Sequence, residues 1–306
     1  MTVRQKLLNE RACAMLSLLS CAAWEDGLPQ PLSRAAVHKM VACGALEGLV
    51  LRDVAGIEEA CMERARLLLG RVGAVYDCLL AYEAAGYTLI LPGEEDWPHA
   101  LDRLGSRAPL YLMAMGNKEL LRGERIAVAG SRRILEETKR AAVESGRMVA
   151  QEGMTLVTGG AQGVDTAAAS GALHAGGGVV IVPAKPAAEI LRRRTYRSAL
   201  YEGRLLLLCD ELPDEPFSAK KALTRNHTIY ALGRETLVVA ARDGRGGSWS
   251  GATDCLRGGY GSVRVWEGDN ADTAGCRALE CLGAKAYSLN RPLREQLCAP
   301  EQMCLL

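Results

Sequence analysis

From Arg125 onward the chain alternates short aliphatic runs with segments of helical spacing, and this alternation limits the fold more than any other feature. The runs are RIAVAGS, MTLVTGG, GVVIVPA, RLLLLCDE, ETLVVAA and SVRVWEG, with KAYSLN as a last short one. Helices are expected at about 136–152 and 165–175, between the first three runs. Strands that are apolar throughout, rather than at every second residue, need both faces covered. The pattern therefore predicts an α/β fold with a doubly wound, mostly parallel, Rossmann-like sheet.

Before that region, residues 1 to about 86 read as helical, with apolar residues at helical spacing in Ala14–Leu19, in Ala36–Leu46, and from Ile57 through Leu69 to Tyr82. Ser33 and Asp53 are expected as N-caps of the second and third helices. The texture changes at Gly86: YTLILPG and PLYLMAMG read as strands, with DWPHALDRL as a helix or turn between them. The expected organisation is a small all-helical N-terminal domain, 1–86, and a Rossmann-like domain, 87–306.

The apolar stretch from Ala12 to Ala23 has charges on both sides and is too short to span a bilayer, so no membrane association is expected. Eleven cysteines without a CxxC pair fit reduced thiols in a cytoplasmic protein, most of them small core residues, rather than a disulfide framework or zinc site. The net charge of +1 means that any nucleic-acid binding has to come from a local patch. One phenylalanine and four tryptophans count against a dense stacking surface.

Ligands of open parallel sheets bind beyond the carboxyl ends of the strands. Two turns there are informative. In Ala129–Arg133, Gly130 lets the backbone approach a ligand, Ser131 can donate to a phosphate, and Arg132 can grip it bidentately. In Thr158–Thr166, Gly159, Gly160, Gln162 and Gly163 form a glycine-rich loop running into a helix whose amino end favours an anion. A tight turn alone explains either loop about as well; the pair together predicts one anion-binding crevice. Neither loop matches GxGxxG with its acidic partner, and no GxxxxGK[ST] is present, so neither NAD nor ATP is expected as a cofactor. No metal cluster and no serine or cysteine triad is visible, and no catalytic residue is assigned. Asp165 reads as a helix cap, and of the four histidines only His227 falls in a candidate site. Arg192, Arg193, Arg194 and Arg197 beside Tyr196 offer phosphate contacts with a stacking ring, or a solvated helix face. Trp249 fits a base stack or a cover over the core, and Arg242, Arg245 and Arg257 flank its turn.

Six ordered blocks resemble the DNA-processing protein A (DprA, or Smf) family between about residues 86 and 290. Trp97-Pro98 through Leu101, Ala108–Tyr111, Gly116-Asn117 and IAVAGSRR are similar to the family's YPxxL, PPxLY, GN and IAIVGSR. VTGGAQGVDTAAASGAL resembles VSGLARGIDxxAHxxAL, Glu211–Pro213 its SExP, and Leu223–Ile229 its FPxRNRxI. Gly246–Ala252 stands at SGSLxTA and Leu282–Ala284 at a late GA. The chain departs from the pattern where Ala169 replaces a histidine, Ala240 and Ala241 stand at a VEA glutamate, and His227 replaces the second arginine of RNR. It ends at Leu306, before the winged-helix domain of many members, so none is expected.

The resemblance implies a non-enzymatic protein that binds and protects single-stranded DNA and helps load the RecA recombinase in natural transformation, often as a homodimer. It extends the phosphate contacts to Lys220, Lys221, Arg225, Asn226 and Ser248. The alternative is a Rossmann-like nucleotide-binding sensor or a nucleotide N-glycosidase-like enzyme. The enzymes of that group resemble PGGxGTxxE at the second loop; here Thr158 replaces the proline and the glutamate is missing.

Overall fold

The computed structural model describes residues 3–22, 27–46 and 54–298. Four helices open it: α1 (Val3–Leu19), α2 (Arg34–Ala42), α3 (Glu59–Leu69) and α4 (Val72–Ala84). Ser33 caps α2, its side chain accepting the Ala36 N–H at 3.3 Å; Asp53 lies outside the described residues. The single helix expected from Ile57 to Tyr82 is two, broken at Gly70–Arg71. Arg71 is buried there, and its guanidinium donates to the carbonyls of Ala22, Ser17 and Ser20 beyond and within the last turn of α1. Satisfying those carbonyls takes Arg71 out of the helix line.

A nine-stranded sheet follows, with β1 (Thr88–Ile90), β2 (Leu112–Gly116), β3 (Arg125–Gly130), β4 (Thr155–Thr158), β5 (Val179–Ile181), β6 (Leu205–Cys209), β7 (Glu235–Ala240), β8 (Ser262–Trp266) and β9 (Lys285–Tyr287). Their order across it is β1-β2-β6-β5-β4-β3-β7-β8-β9. β1 and β2 run antiparallel as an added edge on β6; the other seven are parallel. The DWPHALDRL stretch forms a 3-10 segment, His99–Arg107. The helices among the parallel strands are α5 (Glu136–Gln151), α6 (Val164–His174), α7 (Ala187–Ile190), α8 (Arg194–Tyr201), α9 (Ala219–Leu232), α10 (Gly247–Gly258), α11 (Ala274–Cys281) and α12 (Leu293–Cys298).

Side chains alternate between two cores, as a pleated strand requires. Ile126, Val128, Leu156, Val179 and Ile181 meet α5, α6 and α7 in a core continuous with the buried residues of α1–α4. Ala127, Val157, Val180 and Val238 meet α9, α10 and α11. This double cover explains the unbroken apolar runs in the sequence. Of the nine cysteines described as free, Cys13, Cys209, Cys255 and Cys276 are buried and Cys21, Cys43 and Cys281 exposed, so fewer serve the core than composition implies. Among the described residues no helix is long and apolar enough to cross a membrane.

The chain runs outward from β3 through β4 and β5 to β6, then returns to place β7 on the other side of β3. The carboxyl ends of β3 and β7 therefore flank a topological switch point, where the connecting segments diverge and leave a crevice. The β3–β7 register shifts between Ala129 and Gly130, a local irregularity at the mouth of that crevice.

Candidate functional site

The crevice is a cleft of about 680 Å³ walled by the ends of β3 and β4, by α9, and by the turn entering α10. Its floor is made of the two glycine loops, and they are fastened to each other. The Ser131 N–H donates to the Ala240 carbonyl at 3.1 Å, and the Val164 N–H donates to the Ser131 carbonyl at 3.2 Å. Gly163, at φ 84°, leaves no room for a Cβ, which would overlap the Ser131 carbonyl oxygen. A Cβ on Gly130 would overlap the Val164 side chain, and one on Gly159 the Arg225 guanidinium. These three glycines are thus set by the close approach of protein to protein. Gly130, Ser131, Arg132 and Gly159 line the cleft. Gly160 is buried behind its loop against Ile181 and Ile190, and Gln162 is exposed outside the lining.

Asp165 is not the N-cap of α6; Gly163 holds that position. The Asp165 carboxylate sits in the first turn, 7% exposed, and accepts the Ala161 N–H at 3.2 Å, which shapes the loop. Burial raises its pKa to about 6, while Arg225, the N–H groups of Ala161 and Gly159, and Arg132 pull the other way.

Along α9 the expected contacts separate. Arg225 is buried and donates through Nη1 to the Val182 carbonyl at 2.7 Å, with its Nε left without a hydrogen-bond partner among the described residues. Desolvation lowers its pKa, against the pull of Asp165 and Asp210. Asn226 lines the cleft and ties α9 to α10 through Nδ2 and the Gly247 carbonyl, 3.1 Å. Ser248 lines the opposite wall, its carbonyl accepting from the Tyr230 hydroxyl at 3.3 Å. Lys220 is exposed, just outside the lining. Lys221 turns away to Glu215 at 2.6 Å and Glu211 at 3.2 Å. His227 also faces away, toward Asp254 at 3.7 Å and edge-on to Tyr260, and burial lowers its pKa.

Four exposed arginines, Arg132, Arg133, Arg242 and Arg245, line the cleft, and none has an ion-pair partner among the described residues. Phe217 stands beside them, 51% exposed, with the Arg132 guanidinium carbon 5.5 Å from its ring centre. Sequence reasoning missed it, having used the single phenylalanine only as a count. The available signal was its position between β6 and the basic helix α9. Tyr196 is buried, so the ring imagined beside Arg192, Arg193, Arg194 and Arg197 is in the core and only the arginines reach solvent. Trp249 is half-buried and packs on the core. Chemically, the arrangement offers exposed guanidinium groups to an anion, while the Ser131, Ala161 and Val164 N–H groups are already taken by protein acceptors.

A model of the family described as DNA recombination-mediator protein A matches residues 88–297. The chain belongs to that family. The match includes both glycine loops and all of α9. The fold agrees with the X-ray structure of DNA processing protein A from Streptococcus pneumoniae at TM-score 0.71 and 24% identity, covering 94% of this chain and 97% of that one. It agrees with DNA processing protein A from Helicobacter pylori, described for its single-stranded DNA binding mode, at TM-score 0.56 and 23% identity, covering 68% and 93%. No curated protein sequence matches the chain.

Proposed function

We propose that the cleft binds single-stranded DNA through its phosphates and makes or breaks no bond. One observation carries this reading: Arg132, Arg133, Arg242 and Arg245 gather, without carboxylate partners among the described residues, around the two fastened loops at the switch point. Cations left unpaired in a concave site attract a polyanion and release its counterions on binding. The near-neutral total charge does not oppose this, because the opposite charges pair elsewhere on the surface. Asp165 is buried and bonded to the backbone, which suits a residue that holds a loop.

Family membership supports the same ligand, as does the Helicobacter relative described for binding single strands. On the family's pattern the chain protects the strand and helps load RecA in natural transformation, as a cytoplasmic, non-enzymatic protein able to form a homodimer. Gly130, Ser131, Arg132, Gly159, Asn226 and Ser248 would meet the strand inside the cleft, with Lys220 at its edge.

The test is fluorescence anisotropy of labelled oligo-dT at two salt concentrations, with Arg132→Ala alongside. The expected Kd is about micromolar or tighter at low salt, rising with salt and with the substitution. Absence of binding at low salt would overturn the reading. A mononucleotide titration would then test the nucleotide-sensor alternative.

A further inference from the structure

We infer that Phe217 is a nucleobase-stacking residue that works with Arg132, so that the cleft takes an unpaired base together with its neighbouring phosphate; this rests on the proposed binding of single strands. Phe217 is the only phenylalanine in the chain, and its ring is left 51% exposed on the cleft wall. Leu223, 47% exposed, lines the same wall from α9. Two large apolar side chains in a cleft otherwise rimmed by arginines make a ledge that a flat, partly apolar ligand would cover.

Arg132 ties that ledge to the anion site. Its guanidinium lies 5.5 Å from the centre of the Phe217 ring, and a planar guanidinium can stack on a ring while its edge N–H groups bond a phosphate. A base resting on Phe217 would thus place its phosphate beside Arg132. Every base has a π-face, so such a contact selects an unstacked strand without selecting a sequence.

The ring does not need to bury itself to hold its position, because its loop is anchored from the other side. Arg34 donates to the Asp210 carbonyl at 3.1 Å, the Tyr82 hydroxyl to Asp214 at 2.6 Å, and Lys221 to Glu215 at 2.6 Å. These bonds fix residues 210–215 to α2, α4 and α9, and leave Phe217 at the mouth of the cleft.

The experiment compares oligo-dT with an abasic oligomer of equal phosphate count, each titrated with the wild-type chain, Phe217→Ala, Phe217→Trp and Arg132→Ala. The wild type is expected to prefer oligo-dT about 10-fold. Phe217→Ala should erase the preference while leaving abasic affinity unchanged, Phe217→Trp should keep it, and Arg132→Ala should weaken both oligomers. An unchanged preference in Phe217→Ala overturns the assignment and leaves the phosphate reading standing. Failure of the wild type to bind either oligomer overturns both. Displacement of the oligomer by equimolar thymidine monophosphate overturns the strand as occupant and gives the base-and-phosphate pair to a free nucleotide.

Discussion

Arg225 stands between two recesses on the carboxyl edge of the sheet, and it lines both. Beyond β5 and β6, Lys221 meets Glu211 and Glu215, Lys185 meets Glu189 at 3.4 Å, and the space left is about 20 Å³. At the switch point Arg132, Arg133, Arg242 and Arg245 have no such partners among the described residues, and the space is about 680 Å³. Both recesses are rich in basic residues, but one is small and internally neutralised, whereas the other is roomy and still has charge to offer. The difference lies in pairing rather than in basic content, and pairing depends on which carboxylates the fold brings near.

The largest test of this division is Arg225→Ala. Removing it takes from buried Asp165 its foremost opposing charge and opens the wall, while Asp210 keeps Arg34 at 3.9 Å, and should cost about 3 kcal/mol of stability in urea denaturation. A loss below about 1 kcal/mol would mean that the wall is not structural.

Asp165→Asn comes next. The folded pKa of Asp165 lies above its ordinary value, so the fold holds that proton more tightly than the unfolded chain does. Its stabilising contribution is full below about pH 3.8 and is lost as the pH climbs through about 6. Asn keeps an acceptor for Ala161 and has no charge to bury. The variant should therefore be more stable than wild type by on the order of 2 kcal/mol at pH 7.5, with the gap closing toward pH 4. Parallel melting profiles across that range would refute the buried ionised carboxylate.

Arg132→Ala should weaken oligo-dT binding about 10-fold, or about 1.4 kcal/mol, with little change in Tm. Smallest is Lys221→Ala, expected to cost about 0.5 kcal/mol of stability and less than about twofold in affinity, because its charge is already spent on Glu211 and Glu215. A drop in affinity as large as that of Arg132→Ala would erase the contrast between the two recesses.

The sheet was legible in the sequence because double cover leaves a mark in every strand: Val179, Val180 and Ile181 are all buried, and no polar residue interrupts them. The two loops were legible because glycines after parallel strands mark where the backbone comes close to something. What it approaches was not: at Gly159 the neighbour is Arg225, from a helix 60 residues later, and local spacing has no access to that distance. Lys220 and Lys221 are adjacent and alike in sequence, yet helical geometry points one to solvent and the other to Glu215. Arg225 itself matched its block, but a motif does not state that the guanidinium is buried against Val182. Phe217 went unseen because exposure of an aromatic ring is decided by tertiary anchoring.

That anchoring joins distant parts of the chain. The bonds from Arg34 to Asp210, from Tyr82 to Asp214, and from the Cys21 N–H to Glu215 span 176, 132 and 194 residues. Contacts of such separation carry a high loop-closure cost and form slowly. The loop that carries Phe217 is therefore held by the segment synthesised first, once β6 and the residues after it have been made. A substitution at Arg34 or Tyr82, far from the cleft in sequence, would therefore loosen its Phe217 wall without touching a lining residue.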